Sequence, residues 1–220
     1  MQIDVWSDIA CPWCYIGKRR LEGALDRFEH KESVRVRWRA YELDPRAPRE
    51  REGDHVDHLA KKYGASRAQA EQMVARVAGI AQADGLVYDA ARLRTGNTFD
   101  AHRLIALGLD RGIQGAVQDR FFRAYFAEGA AIGRPDVLAP LAAEAGLDRA
   151  EVDDVLASDR YAADVRADEM EARAYGISGV PFYVIAGRLG VSGAQPVETL
   201  LGALDRGWST GGLTGVEIAD

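Results

Sequence analysis

Cys11-Pro12-Trp13-Cys14 is the stretch on which the fold turns. These are the only two cysteines in 220 residues. They follow the apolar-rich segment Ile3-Asp4-Val5-Trp6 and precede Tyr15-Ile16-Gly17-Lys18-Arg19-Arg20-Leu21-Glu22-Gly23-Ala24-Leu25, which is spaced like a helix. A strand that delivers two cysteines, three positions apart, to the start of a helix builds a redox-active dithiol. At the helix start the macrodipole and free backbone N–H groups favour a thiolate. Pro12 suits the first turn because its missing N–H would have been unpaired there anyway. Cys14, one turn in, is expected to be the more buried, resolving thiol, able to attack a mixed disulfide formed at Cys11.

Other uses of the pair are weaker. A structural disulfide across so short a loop constrains little of the unfolded chain. A zinc site from Cys11, Cys14, His55 and His58 has enough ligands. The gap in His55-Val56-Asp57-His58 is shorter than usual zinc spacing, however, and about forty residues separate the halves. Two inert thiols lying close by chance are the third alternative. No metal is assigned. His30, His55 and His58 are read as exposed helix ends and loops.

Composition excludes several classes. The chain is 47% hydrophobic and 28% charged, an ordinary globular balance, and its length supports one sizeable core or one core plus an insertion. A net charge of −6 disfavours nucleic acid and an anionic membrane surface as partners. No basic n-region with an apolar stretch marks a secretory signal, and no apolar run approaches the roughly 20 residues of a transmembrane helix. The expected location is cytoplasmic, where a transient catalytic disulfide is more plausible than a permanent one.

Residues 2–7 read as a strand and 14–29 as an amphipathic helix with Leu21, Leu25 and Phe28 at helical spacing. Ser33 to Leu43 alternates, with Val34, Val36, Trp38 and Ala40 on one face. Asp44-Pro45-Arg46-Ala47-Pro48 ends that strand. From 54 to 175 the pattern is helical. Ser66 and Gln69 form a capping box before the stripe Ala70, Met73, Val74, Val77 and Ile80. Further helices are expected over 98–110, 114–128, 135–145 (in conflict with Pro140), 149–157 and 159–175, the last closed by Gly176. Gly179 to Gly193 reads as a β-hairpin around Ala186-Gly187-Arg188, and Pro196 to Leu204 as a closing helix. The Gly108, Gly112 and Gly115 run follows no strand, so it is not a phosphate loop. The expected fold is α/β: a core from 1–50 and 176–220, split by an all-helical insertion over 54–175 whose last helix, about 159–175, leads back to the core.

With these elements in place the chain resembles the DsbA superfamily, and within it the FrnE-like branch. The resemblance covers nearly the whole chain. It is carried by Asp8-Ile9-Ala10-Cys11-Pro12-Trp13-Cys14-Tyr15-Ile16-Gly17, Asn97-Thr98-Phe99-Asp100-Ala101-His102-Arg103-Leu104, Gly176-Ile177-Ser178-Gly179-Val180-Pro181-Phe182 and Val191-Ser192-Gly193-Ala194-Gln195-Pro196. It implies a thioredoxin-like fold with a large helical insertion and a cis Val180–Pro181 bond facing the first cysteine. From the residues alone, cis is the minority state, about 5–6% of X–Pro bonds in folded proteins, so that assignment rests on the resemblance. The backbone of Val180 would then pair with an extended peptide like an added strand. The resemblance also brings Asn97 and His102 to the rim of the dithiol cleft. A histidine there would raise the thiolate population or shuttle a proton. Equally, Asn97 reads as a helix cap and His102 as a satisfied histidine inside the insertion. Trp13 reads as a cover over Cys11, offering an apolar platform.

Two activities follow. The first is a thiol–disulfide oxidoreductase in which Cys11 and Cys14 act on protein or small-molecule disulfides. It needs no bound cofactor, with glutathione or another low-molecular-weight thiol as a possible co-substrate. The second comes from the resemblance to kappa-class glutathione transferases and 2-hydroxychromene-2-carboxylate isomerases: a small-thiol-dependent isomerase or transferase for an aromatic or polyketide-like molecule. Two departures weigh against it. Those enzymes have a serine at the position of Cys11, and their Gly-x-Asp-Arg signature is here Gly193-Ala194-Gln195-Pro196. An apolar pocket lined by Phe99, Phe121 and Phe122 would still suit a small molecule.

Overall fold

A computed structural model describes residues 1–209 and the strand at 217–219. The chain opens with β1 (Gln2–Ser7), α1 (Pro12–Arg27) and β2 (Arg35–Ala40). Seven helices follow: α2 (His55–Tyr63), α3 (Arg67–Ala83), α4 (Phe99–Asp110), α5 (Gln114–Phe126), α6 (Pro135–Glu144), α7 (Arg149–Ala157) and α8 (Ala162–Ala174). The chain then returns to strands with β3 (Phe182–Ile185) and β4 (Leu189–Ser192), followed by α9 (Val197–Ser209) and β5 (Glu217–Ala219). The sheet order is β2-β1-β3-β4-β5. β1 and β2 are parallel, with Val5 opposite Trp38. β3 runs antiparallel to both β1 and β4. This is the expected thioredoxin-like α/β arrangement with a helical insertion.

The chain divides into two compact units, Met1–Leu43 with Asp164–Asp220, and Asp44–Ala163. The second unit starts and ends earlier than the 54–175 read from the sequence. Most of α8 belongs with the sheet, because its Asp168 is bound into β1 and β2. The Asp168 carboxylate accepts from Arg39 Nη1 at 2.7 Å and from the Ala40 N–H at 2.9 Å, while its carbonyl accepts from Trp6 Nε1. Arg39 Nε also donates to Asp4, at 2.8 Å. Beside this polar clamp, Trp6, Ala172, Ile177, Phe182 and Val184 form a buried cluster, with Tyr41 and Val180 packed on it.

Other elements show how local chemistry sets boundaries. Helix α1 begins at Pro12 rather than 14, because Cys11 keeps an extended backbone and serves as its N-cap. The β2 alternation holds, with Trp38 and Ala40 buried. The capping box at Ser66 and Gln69 is made in both directions. α8 begins at Ala162, not 159, since Tyr161 adopts a left-handed backbone with φ 62° and its hydroxyl donates to Asp110. α6 runs through Pro140, held by the buried Leu138, Ala139, Leu141 and Ala142. The hairpin turns through the three residues Ala186-Gly187-Arg188, with Ala186 and Gly187 both at positive φ and the Arg188 N–H donating to the Ile185 carbonyl. In the helical unit, Phe121 and Phe122 are fully buried, and Phe122 stacks on Phe126. Of the three phenylalanines expected to line a pocket, Phe121 and Phe122 are core filling, and Phe99 is partly buried at the start of α4. No helix among the described residues is long and apolar enough to cross a membrane.

Candidate active site

Every part of the dithiol site lies in the sheet unit. β1 ends at Ser7, and the short turn Asp8-Ile9-Ala10 carries the chain to Cys11. The Asp8 carboxylate accepts from the Ala10 N–H at 3.2 Å and the Leu43 N–H at 2.7 Å, and the Asp8 carbonyl accepts from the Cys11 N–H at 3.1 Å. This network fixes the approach to the helix. The carbonyl of Cys11 accepts the first helical bonds, from Cys14 N at 3.0 Å and Tyr15 N at 3.3 Å. Its side chain makes no capping bond, so the sulfur is not engaged in holding the helix start. Pro12 stands at the head of the helix, as its missing N–H allows.

Both cysteines are free thiols. Cys11 is 4% exposed, and beside it Trp13 is 38% exposed. The Cys11 thiol donates to the carbonyl of Val180 at 3.5 Å. The Val180–Pro181 bond is cis, in agreement with the resemblance. The Pro181 carbonyl is tied down by the Gly193 N–H at 2.8 Å, and Arg20 of α1 donates to the Ala194 carbonyl at 2.7 Å. Loop and helix are thus pinned together on either side of the sulfur.

Cys14 is wholly buried. Burial pushes its thiol well up from the ordinary range, and the hydrogen bond and charge of Cys11 add to this. The Asp8 N–H, 3.5 Å from the sulfur, and the Ser7 hydroxyl pull the other way. Behind the pair stands Tyr183 of β3, fully buried. Burial raises its phenol, and the negative charge of Cys14 raises it further. A Cβ on Gly17 would lie 2.4 Å from the Tyr183 hydroxyl oxygen and 2.9 Å from Pro181 Cγ. Glycine at 17 is therefore what lets the phenol and the proline ring approach α1.

Asn97 and His102 belong to the helical unit. Asn97 Oδ1 accepts from the Phe99 N–H at 2.9 Å, while Thr98 is the N-cap of α4. Asn97 thus supports the helix start from one residue further out. Its own N–H donates to the Pro48 carbonyl at 2.8 Å. His102 is buried in the first turn of α4. The sequence reading assigned no role to Ser7, Asp8, Gly17 or Tyr183. Asp8 and Gly17 stood inside the motif around the cysteines, whereas Tyr183 looked like one more apolar position of a buried strand.

A model of the DsbA-like thioredoxin domain matches residues 2–205. The chain belongs to the DsbA-like thioredoxin family. Among solved structures, a probable DsbA oxidoreductase from Streptomyces coelicolor is 42% identical with a TM-score of 0.91, covering 100% of this chain and 94% of that one. Two others share the fold at low identity. A 2-hydroxychromene-2-carboxylate isomerase is 17% identical with a TM-score of 0.68, covering 94% of this chain and 95% of its own. The cytosolic disulfide reductase DsbM from Pseudomonas aeruginosa, solved with GSH, is 19% identical with a TM-score of 0.61, covering 95% and 96%. As a DsbA-like protein the chain falls among thiol oxidoreductases.

Proposed function

We propose that this DsbA-like protein exchanges disulfides through Cys11 and Cys14 on protein or small-thiol substrates, without a bound cofactor. One observation carries the reading. Two free thiols stand at the head of α1, the first against the Val180 carbonyl of the cis-proline loop and the second fully buried behind it. The Cys11 sulfur attacks a substrate disulfide and releases the first substrate thiol. Cys14 then attacks the Cys11 sulfur and releases the second. Val180 offers backbone to an extended peptide, and Trp13 gives an apolar surface next to the reacting sulfur. Glutathione is the small thiol we assign as recycling partner, since the fold relative DsbM was solved with GSH. The isomerase-like reading has only the shared fold behind it, and the paired thiols weigh against it.

The test is the Cys11–Cys14 redox equilibrium in graded glutathione buffers, read by alkylation and intact mass. A reversible two-electron transition is expected, with Cys14→Ser trapping mixed disulfides and Cys11→Ser abolishing turnover. Thiols that form no intramolecular disulfide at any buffer ratio would overturn the proposal.

A further inference from the structure

Resolution demands that a sulfur with no solvent contact carry a negative charge. Cys14 is 0% exposed, and desolvation disfavours its thiolate. Something must offset that cost at the moment of attack, and the surroundings of the sulfur supply donors. The Asp8 N–H points at it from 3.5 Å and the Ser7 hydroxyl donates to it. Both come from the end of β1, and the Asp8 carboxylate holds the turn in place through the Ala10 and Leu43 N–H groups. These dipoles are fixed before any charge develops, which is when they cost least.

A third group is unexplained by packing alone. Tyr183 pairs with Val5 across the sheet, which directs its ring to the face that α1 covers. Its hydroxyl is buried and makes no hydrogen bond among the described residues. It lies against the backbone of Gly17, three residues after Cys14 on α1. A phenylalanine would fill the same space without an idle buried donor, a feature that is costly to keep.

We infer that the Ser7 hydroxyl, the Asp8 N–H and the Tyr183 hydroxyl together form an anion hole for the Cys14 thiolate, with Tyr183 the donor recruited when that charge appears. This rests on the exchange mechanism proposed above. The phenol stays protonated beside the thiolate, because burial and the charge of Cys14 both raise it. Cys14, having lost its proton to solvent, attacks the Cys11 sulfur of the mixed disulfide. The Cys11–Cys14 bond forms, the bond to the substrate sulfur breaks, and the departing substrate thiolate takes up a proton. Overall, two electrons pass from the cysteine pair to the substrate disulfide. The titratable and charged groups around the sulfur are Cys11, Asp8 and Tyr183, with Arg20 of α1 acting on the phenol by charge.

The experiment mixes the reduced protein with glutathione disulfide, quenches with acid over a range of pH, and follows the Cys11 adduct by intact mass. The wild type is compared with Tyr183→Phe, Ser7→Ala and Ser7→Thr. Adduct formation should match the wild type in all three variants. Adduct decay should slow about ten-fold in Tyr183→Phe and Ser7→Ala, the loss expected for one hydrogen bond to a charged group. The pH midpoint of decay should rise by about one unit in both variants, and Ser7→Thr should restore it. Unchanged decay and midpoint in Tyr183→Phe, while the wild type forms and resolves its adduct, would overturn the anion hole alone. A wild type that forms neither adduct nor intramolecular disulfide would overturn the exchange mechanism itself.

Discussion

Gly17→Ala should destabilise the protein, although it replaces glycine by the best helix former inside α1. In an open helix interior the same exchange stabilises by about 1 kcal/mol, because glycine loses more backbone entropy on folding. At Gly17 the new Cβ would come 2.4 Å from the Tyr183 hydroxyl oxygen and 2.9 Å from Pro181 Cγ. Neither neighbour can swing into water: both residues are buried, and the proline belongs to the loop bonded to Cys11. Overpacking of this kind costs about 1–3 kcal/mol, so after the propensity gain the net loss is about 1 kcal/mol. Gly79 of α3 is the control, since a Cβ there meets nothing within 4 Å and alanine should stabilise by the full propensity term. In urea denaturation the two variants should fall on opposite sides of the wild type, about 2 kcal/mol apart, with unchanged m-values. Adduct formation at Cys11 should also slow in Gly17→Ala, because the displaced proline ring carries the Val180 carbonyl with it. A Gly17→Ala protein stabilised as much as Gly79→Ala would refute the close approach, and with it the placement of the phenol beneath the dithiol.

Other changes test other parts of the sheet unit. Asp168→Asn removes the charge that holds Arg39 and weakens the clamp of α8 on β1 and β2; a loss of about 2 kcal/mol in urea is expected for this partly shielded pair. Ala186→Gly relieves a non-glycine residue at φ 54° in the hairpin turn. Net of the added unfolded-state entropy, it should raise the melting temperature by about 1–2 °C, and a fall would contradict the turn geometry. The raised Cys14 thiol also fixes a pH dependence. Below the ordinary thiol range both folded and unfolded chains keep the proton. Above about pH 8.5 the unfolded chain releases it first, so the reduced protein loses stability as pH rises further. Between pH 8.5 and 9.5 the reduced wild type should lose about 1 kcal/mol more than Cys14→Ala, compared by urea midpoints; equal losses would count against a buried, neutral Cys14.

What the sequence disclosed was governed by local patterns. The alternation of Val36, Trp38 and Ala40, the reciprocal cap of Ser66 and Gln69, and the turn at Ala186 and Gly187 are each set by residues a few positions apart. They survive folding because tertiary packing agrees with them. The errors lie where distant residues decide. The start of α8 depends on the left-handed Tyr161, whose hydroxyl reaches Asp110 in α4, and no composition cue marks it. The assignment of α8 to the sheet unit depends on Asp168 finding Arg39, far away in sequence. The strand at 217–219 is three residues long, too short to show an alternation. The cysteine pair itself was legible from spacing. Its surroundings were not, since Tyr183 sits in the apolar run Phe182-Tyr183-Val184-Ile185, where only the bare backbone of Gly17 opposite shows that its hydroxyl faces the dithiol helix.

The two sulfurs differ by one helical turn in sequence, and their division of labour comes from what surrounds them. Cys11 occupies the N-cap, with an extended backbone and a sulfur that does not cap the helix but is hydrogen-bonded to the Val180 carbonyl and to Cys14. Cys14 is enclosed and held neutral at rest, with donors already turned toward its sulfur. In the proposed exchange this asymmetry sets the order of events. A substrate disulfide meets Cys11, because Cys14 offers no surface to it. Once Cys11 has surrendered its thiol proton it no longer donates to Val180, and that carbonyl becomes available to a backbone N–H of an extended substrate. The same step makes the Cys11 sulfur an electrophile next to Cys14. The charge Cys14 must then carry lasts only for the attack, so a few preset donors suffice where a permanent buried thiolate would need far more.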